Sequence, residues 1–237
     1  MSLSCDYIVV DWRTPELAER AINSIRENAD VWRSAWLIDA ARDEMSYAQA
    51  CHAGVDRSAE QARRDREPAA KIVCLCNADV ECRESQEPVM DLFAAHPEVA
   101  VIGPRQVDSS GHVRHAGIVG TNTRPEHRFW GDLLDEVDER CREALLDCVT
   151  VSGSVYYCRR SVWNKLGGFL LSKHYYEETW LSYLARHRGH RVCYTGTTTW
   201  LHEWLSSPVE DEWLQEAFRE SQATFREACA REGIKCD

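Results

Sequence analysis

Two hydrophobic periods alternate along the first half of the chain. Residues 5 to 12, CDYIVVDW, run apolar and β-branched with little polar interruption, as a strand buried on both faces does. From Pro15 to Asn28 the apolar residues Leu17, Ala18, Ala21, Ile22 and Ile25 recur at helical spacing behind Thr14 and Pro15, a cap and first-turn pair, and predict a helix. AWLID (35–39) predicts a second strand, residues 46–64 a helix with a strongly charged second half, and KIVCLC (71–76) a third strand. Strands alternating with helices predict an α/β fold built on a mostly parallel open sheet flanked by helices. In such sheets ligands bind beyond the carboxyl ends of the strands, where Asp11, Asp39 and the group Asn77–Ala78–Asp79 all fall.

The second half is less regular. VAVIGP (99–104) predicts a strand, DSSGH (108–112) a turn and VRHAGIVG (113–120) a strand or extended segment. Residues 121–134 mix Asn122, Pro125, His127, Trp130 and Gly131 without a period and read as a long surface loop. CVTVSGSVYYCRR (148–160) predicts a strand interrupted at Gly153, and SVWNKLGGF (161–169) a short helix closed by Gly167 and Gly168. Residues 177–188 predict a helix, RVCYT (191–195) a last strand and 209–232 a charged amphipathic helix. With no linker and no internal repeat, the pattern gives one domain over 1–208 and a helical extension over 209–237.

Composition narrows the class of protein. The chain has 237 residues, 44% of them hydrophobic, enough for a sizeable core. Its 39 acidic residues outweigh 28 basic ones for a net charge of −11, and no stretch gathers Lys and Arg into a phosphate-tracking stripe, which argues against a nucleic-acid partner. The start, MSLSCDYIVVDW, has no basic region ahead of a long apolar one, and no run approaches the roughly 18 apolar residues of a membrane span, so the expectation is a soluble, cytoplasmic protein. Eleven cysteines then read as reduced thiols. Cys74, Cys76 and Cys82 lack the spacing of a zinc knuckle; Cys74 and Cys76 alternate with Val73 and Leu75, which predicts core packing on one strand face.

Six segments, taken in order, resemble one known family. They are IVVDWRTPELAERAINSI, LIDAARDEMSYAQACHAGV, CLCNADVEC, GPRQVDSSGHVRHAG, VSGSVYYCRRSVWNKLGGF and YYEETWLSYLARHRGHRVCYTGTTTWLHE, spanning roughly residues 5 to 204. The chain resembles the inverting glycosyltransferases of family 2, which have the GT-A nucleotide-sugar-binding fold. The resemblance implies a nucleotide-binding half over 1–104, an acceptor-binding half with a smaller sheet over 105–208, and a metal-dependent transfer of a sugar from a UDP- or dTDP-sugar to a hydroxyl. It implies Mn²⁺ or Mg²⁺ as cofactor, since a leaving nucleoside diphosphate develops negative charge that oxygen-liganded divalent cations offset. The implied partners are the nucleotide-sugar donor and a glycan, protein or lipid-head-group acceptor; the C-terminal helix either supports a homodimer or only covers the sheet.

The resemblance also assigns residues. Asp79 matches the metal ligand, Asn77 a group holding ribose or a metal-bound water, and Ala78 the small residue that keeps this turn narrow. Asp39 matches the carboxylate that accepts from the N3 donor of uracil or thymine, while Asp11, where the family commonly has Asn, and Thr14 match the nucleotide-side turn. Glu177 and Glu178 correspond to the paired acidic motif whose second member is the general base, and His202 to the imidazole that joins the metal or diphosphate. Gly153 lets backbone approach the donor sugar; Arg128, Trp130 and Trp204 are candidates for an acceptor platform. Read without the resemblance, Asn77–Asp79 is equally an Asn-x-Asp turn, Asp11 or Thr14 a helix cap, the two glutamates first-turn acids favoured by the helix dipole, and His202 a hydrogen-bonded core residue. Two other functions stay open: a catalytically silent nucleotide- or glycan-binding relative, suggested by Ser46, Asn77 and Glu178 at positions where the family commonly differs, and a sugar nucleotidyltransferase, against which DWRTPE lacks the Gly-rich basic loop.

Overall fold

The computed structural model describes residues 3–203 and 211–236. Strands and helices alternate first as β1 (Cys5–Asp11), α1 (Pro15–Asn28), β2 (Trp32–Asp39), α2 (Tyr47–Asp65) and β3 (Ile72–Asn77). β1 pairs in parallel with β2 on one side and β3 on the other. Its successive side chains face opposite ways, so Cys5, Tyr7 and Val9 pack with Ala21, Ile22 and Ile25 of α1, while Ile8 and Val10 pack with Ala48, Cys51 and Val55 of α2. Burial on both faces is why this strand shows a continuous apolar run rather than alternation. Cys74 and Cys76 sit fully buried on the α1 side, and all eleven cysteines are free.

The chain continues through β4 (Val80–Cys82), α3 (Glu87–Ala95), β5 (Val99–Val107), β6 (Val113–His115), β7 (Ile118–Thr121), β8 (Arg124–His127), α4 (Leu134–Val137), a 3₁₀ turn (Asp138–Cys141) and β9 (Leu146–Asp147). It closes with β10 (Val155–Arg159), α5 (Arg160–Leu166), α6 (Glu177–His187), β11 (Arg191–His202) and α7 (Asp211–Glu232). The strand order across the main sheet is β2-β1-β3-β10-β5-β11-β4. β10 runs antiparallel between β3 and β5, whereas β5 and β11 are parallel, so the sheet is mostly parallel along its main path, with β10 reversed at its centre and β4 reversed at its edge; the short β6 and β9 also pair antiparallel.

Several expected elements change shape. Residues 121–134 are not a plain loop: β8 folds back on β7 as a separate two-stranded sheet, and because all four β8 residues are exposed there is no apolar period to mark it. The strand expected from 148 begins only at Val155, after a turn at residues 153–154. The last strand runs past Thr195 to His202 through a register shift between Thr195 and Thr199, where Gly196 lies so close to Cys141 that an added Cβ would stand 1.8 Å from its carbonyl oxygen. That bulge breaks the period seen in the sequence. α7 packs on α6, where Phe225 and Cys229 share an apolar cluster with Tyr183 and Leu184. Among the described residues no helix is long and apolar enough to cross a membrane.

One buried ion pair ties the sheet's first strand to later elements. Asp6 is wholly buried; its Oδ2 accepts from Arg160 Nη2 at 2.7 Å and its Oδ1 from Ser34 Oγ at 2.6 Å. Arg160, itself 8% exposed, also donates to the carbonyls of Ala70 and Val55. Asp6→Ala leaves that guanidinium without its counter-charge and is expected to lower the unfolding free energy by about 3–5 kcal/mol, measured by urea denaturation. A loss of less than about 1 kcal/mol, the size typical of a surface pair, sinks this account of the pair.

Candidate functional site

A cleft of about 490 Å³ opens at the carboxyl ends of β1 and β3. Trp12 and Thr14 reach it from the turn after β1, Asn77 and Asp79 from the turn after β3, Tyr47 from the start of α2 and Trp213 from α7. The start of α2 is fixed by a capping box in which Ser46 Oγ accepts from Gln49 N at 3.3 Å and Gln49 Oε1 from Ser46 N at 2.8 Å.

Asp79 and His202 are brought together by strand pairing. β4 lies antiparallel to β11 with Val80 opposite His202, and Glu203 N donates to the Asp79 carbonyl at 3.2 Å. His202 is 2% exposed, and its Nε2 stands 3.5 Å from Asp79 Oδ2, whose side chain faces the cleft. A carboxylate oxygen and an imidazole nitrogen at that separation can both reach one divalent cation at about 2.0–2.2 Å. Among the described residues no three His, Cys, Asp or Glu side chains gather as a metal site. The pair therefore suits a cation that takes one or two protein ligands and completes its shell with substrate phosphate oxygens, the habit of Mg²⁺ and its analogues.

Glu177 and Glu178 open α6, behind Tyr176 at φ 71°. Glu177 is 2% exposed, and among the described residues its Oε1 has no hydrogen-bond partner. Glu178 is half-buried against Gly153, where an added Cβ would lie 3.3 Å from the carboxyl carbon; the Gly153 carbonyl accepts from Tyr47 OH at 2.9 Å. This glycine thus stands between Glu178 and a tyrosine of the cleft wall, and an added Cβ would press on the Glu178 carboxyl. Burial raises the pKa of both carboxyls above the ordinary range, and the Glu178 charge adds to the effect on Glu177.

Asp11 and Asp39 stand opposite each other in the β1–β2 register. Asp11 is buried, and its Oδ1 accepts from both Thr14 N and Thr14 Oγ1 at 2.8 Å, so this carboxylate shapes the β1–α1 turn and places Thr14 on the cleft. Asp39 is exposed, accepts from Arg42 N at 2.9 Å and does not itself line the cleft, although its neighbour Ala40 does. Arg128 is held by Glu143 Oε1 at 2.6 Å and by the carbonyls of Ala116 and Arg140. Trp130 lies beside His127 of β8 and Arg114, away from the cleft lining, and Trp204 is outside the described residues.

Sequence reasoning missed Trp12, Tyr47, Gln106 and Trp213. Trp213 meets the His174 ring edge-on at 5.6 Å, and Lys173 pairs with Glu220 of α7 at 3.2 Å, which fastens this helix to the segment preceding the two glutamates. A single tryptophan on a charged helix carries no sequence signal for such a role, and Gln106 lies beyond residue 104, where the apolar run of β5 ends.

No family profile matches the chain, and no curated protein sequence does. Solved structures match in shape. The crystal structure of GalNAc-T7 with UDP, GalNAc and Mn²⁺ superposes with a TM-score of 0.60 over 99% of this chain at 13% identity. The mannosyltransferase PcManGT from Pyrobaculum calidifontis, in complex with GDP-Man and Mn²⁺, gives 0.54 over 98% at 11% identity. The chain spans 55% and 65% of those two chains. At such identities the likeness is one of fold, and the architecture reached strand by strand above, a mostly parallel sheet flanked by helices with a small antiparallel sheet and a C-terminal helix, is that of the GT-A glycosyltransferases.

Proposed function

We propose that the chain is a metal-dependent, inverting glycosyltransferase that moves a hexose from a UDP- or dTDP-sugar to a hydroxyl acceptor. The observation that carries this reading is the meeting of Asp79 and His202, residues from separate strands' ends, 3.5 Å apart at the rim of the cleft beyond β3. Asp79 Oδ2 and His202 Nε2 would hold Mn²⁺ or Mg²⁺, which when bound offsets the charge of a leaving diphosphate. Thr14 and Asn77 offer polar groups to the ribose and phosphates. Gly153 leaves room for the donor sugar.

In the transfer step the acceptor oxygen bonds to the anomeric carbon from the face opposite the diphosphate, the bond from that carbon to the phosphate oxygen breaks, and the hydroxyl proton passes to Glu178. Burial makes the Glu178 carboxylate a stronger base than an exposed one. Burial and the Glu178 charge together favour the protonated form of Glu177, which leaves Glu178 as the base of the pair.

The test is a panel of UDP-, dTDP- and GDP-sugars assayed with and without Mn²⁺, first for binding and then for release of nucleoside diphosphate, with glycans, proteins and lipid head groups as acceptors. Mn²⁺-dependent release of UDP or dTDP, faster with an acceptor of one of these classes, is the expected result. Binding without release from any donor identifies a silent nucleotide-binding relative instead, and formation of a nucleotide sugar from sugar phosphate a nucleotidyltransferase.

A further inference from the structure

Gln106 is wholly buried on β5, opposite Trp200 of β11, and reaches the face of the sheet that carries His202. Its Oε1 lies 2.9 Å from His202 Nδ1 and accepts from Ser154 Oγ at 2.6 Å; Ser154 Oγ is in turn 2.7 Å from Ser152 Oγ. Among the described residues its Nε2 has no hydrogen-bond partner. A polar side chain kept at this depth with half of its amide unsatisfied costs stability, and a requirement on its other half explains its presence there.

The chemistry of that other half is specific. An amide oxygen only accepts, so bonding to it requires the proton of a neutral imidazole to sit on Nδ1. The lone pair is then on Nε2, the nitrogen that faces Asp79 Oδ2 at 3.5 Å. We propose that Gln106 is a positioning residue that fixes His202 as its Nδ1–H tautomer and holds the ring so that Nε2 acts as an electron-pair donor beside the Asp79 carboxylate. Ser154, from the segment that also carries Gly153, saturates the same amide oxygen and locks its orientation, which links the donor-sugar side of the cleft to the cation side. With the amide reversed, Nε2 of Gln106 would donate to His202 Nδ1 and the lone pair would face the wrong way. The proposal rests on the assignment of Asp79 and His202 as the cation-holding pair.

The first readout needs no metal. ¹⁵N-histidine NMR of the metal-free protein near pH 8 is expected to show His202 with a protonated Nδ1 and an unprotonated Nε2; the opposite tautomer overturns the proposal. The second is Mn²⁺ affinity in the presence of UDP. Gln106→Leu, which removes the acceptor, is expected to weaken Mn²⁺ binding about 10–100-fold, the size found when a partner of a ligating histidine is lost. Gln106→Glu keeps an acceptor at the same place and is expected to restore most of that affinity. Should His202→Ala weaken Mn²⁺ binding while Gln106→Leu leaves it unchanged, the positioning role alone is wrong. Should Asp79→Ala and His202→Ala both leave it unchanged, the cation assignment beneath it is wrong.

Discussion

Glu178→Gln is expected to keep donor binding close to that of the native protein and to cut sugar transfer by about 10²–10⁴-fold, the range that one positioned acid–base group contributes. Glutamine preserves the length of the side chain and therefore its contact with Gly153, so the packing that sets the cleft wall survives. What disappears is the capacity to take a proton. The pH dependence follows with a definite sign. The base works only as carboxylate, and burial raises its pKa, so transfer by the native protein should fall on the acid side at a pH above the value of about 4.3 for an exposed glutamate. The residual rate of Glu178→Gln should lack that limb. Glu177→Gln is the control: its carboxyl is buried with Oε1 unpartnered and its protonated form favoured, so a neutral amide imitates it and transfer should persist. Greater loss in Glu177→Gln than in Glu178→Gln exchanges the two roles. Steady-state rates of nucleotide release, with donor affinity measured separately, decide between them.

The contrast between these neighbours shows what the sequence could and could not convey. Helical spacing placed α1 at Pro15–Asn28 to the residue, because one face of that helix meets an apolar sheet and the other meets water. Two-sided burial made β1 and β3 visible as apolar runs and accounts for Cys74 and Cys76 as core residues. Those strand ends led directly to Asn77 and Asp79 on the cleft. Beyond them local pattern carries less. β8 has no buried position, β10 is reversed in direction without any change in residue types, and the bulge at Thr195–Thr199 interrupts β11 before it delivers His202. Gln106 and Trp213 reach their places only through long-range pairing: one across β5–β11, the other through the packing of α7 on α6. Asp39 illustrates the reverse case, a residue at the expected strand end whose side chain is exposed and turned to Arg42 N.

Asp79→Ala is expected to act on binding rather than on the proton-transfer step. With Mn²⁺ present, UDP at about 100 times its dissociation constant should stabilise the native protein by about 2.7 kcal/mol. For a chain of this length that is a rise in melting temperature of about 5–10 °C, at about 2–4 °C per kcal/mol. In Asp79→Ala the part of that rise that depends on Mn²⁺ should vanish, since His202 alone offers one neutral nitrogen to a hard cation that prefers carboxylate oxygen. The fold itself should be little affected: the Asp79 carbonyl still accepts from Glu203 N, and the pairing of Val80 with His202 is made by backbone. The metal-free melting temperature is therefore the internal control, expected within a few degrees of native. An unchanged Mn²⁺-dependent shift removes Asp79 from the site, whereas a collapse of the metal-free melting temperature makes it a structural partner of His202. Because the cation offsets charge on the diphosphate before any bond is broken, Asp79→Ala should also weaken donor binding where Glu178→Gln does not, and that opposition between a carboxylate lining the cleft and one packed behind its wall at Gly153 is the sharpest signature the proposed chemistry can leave.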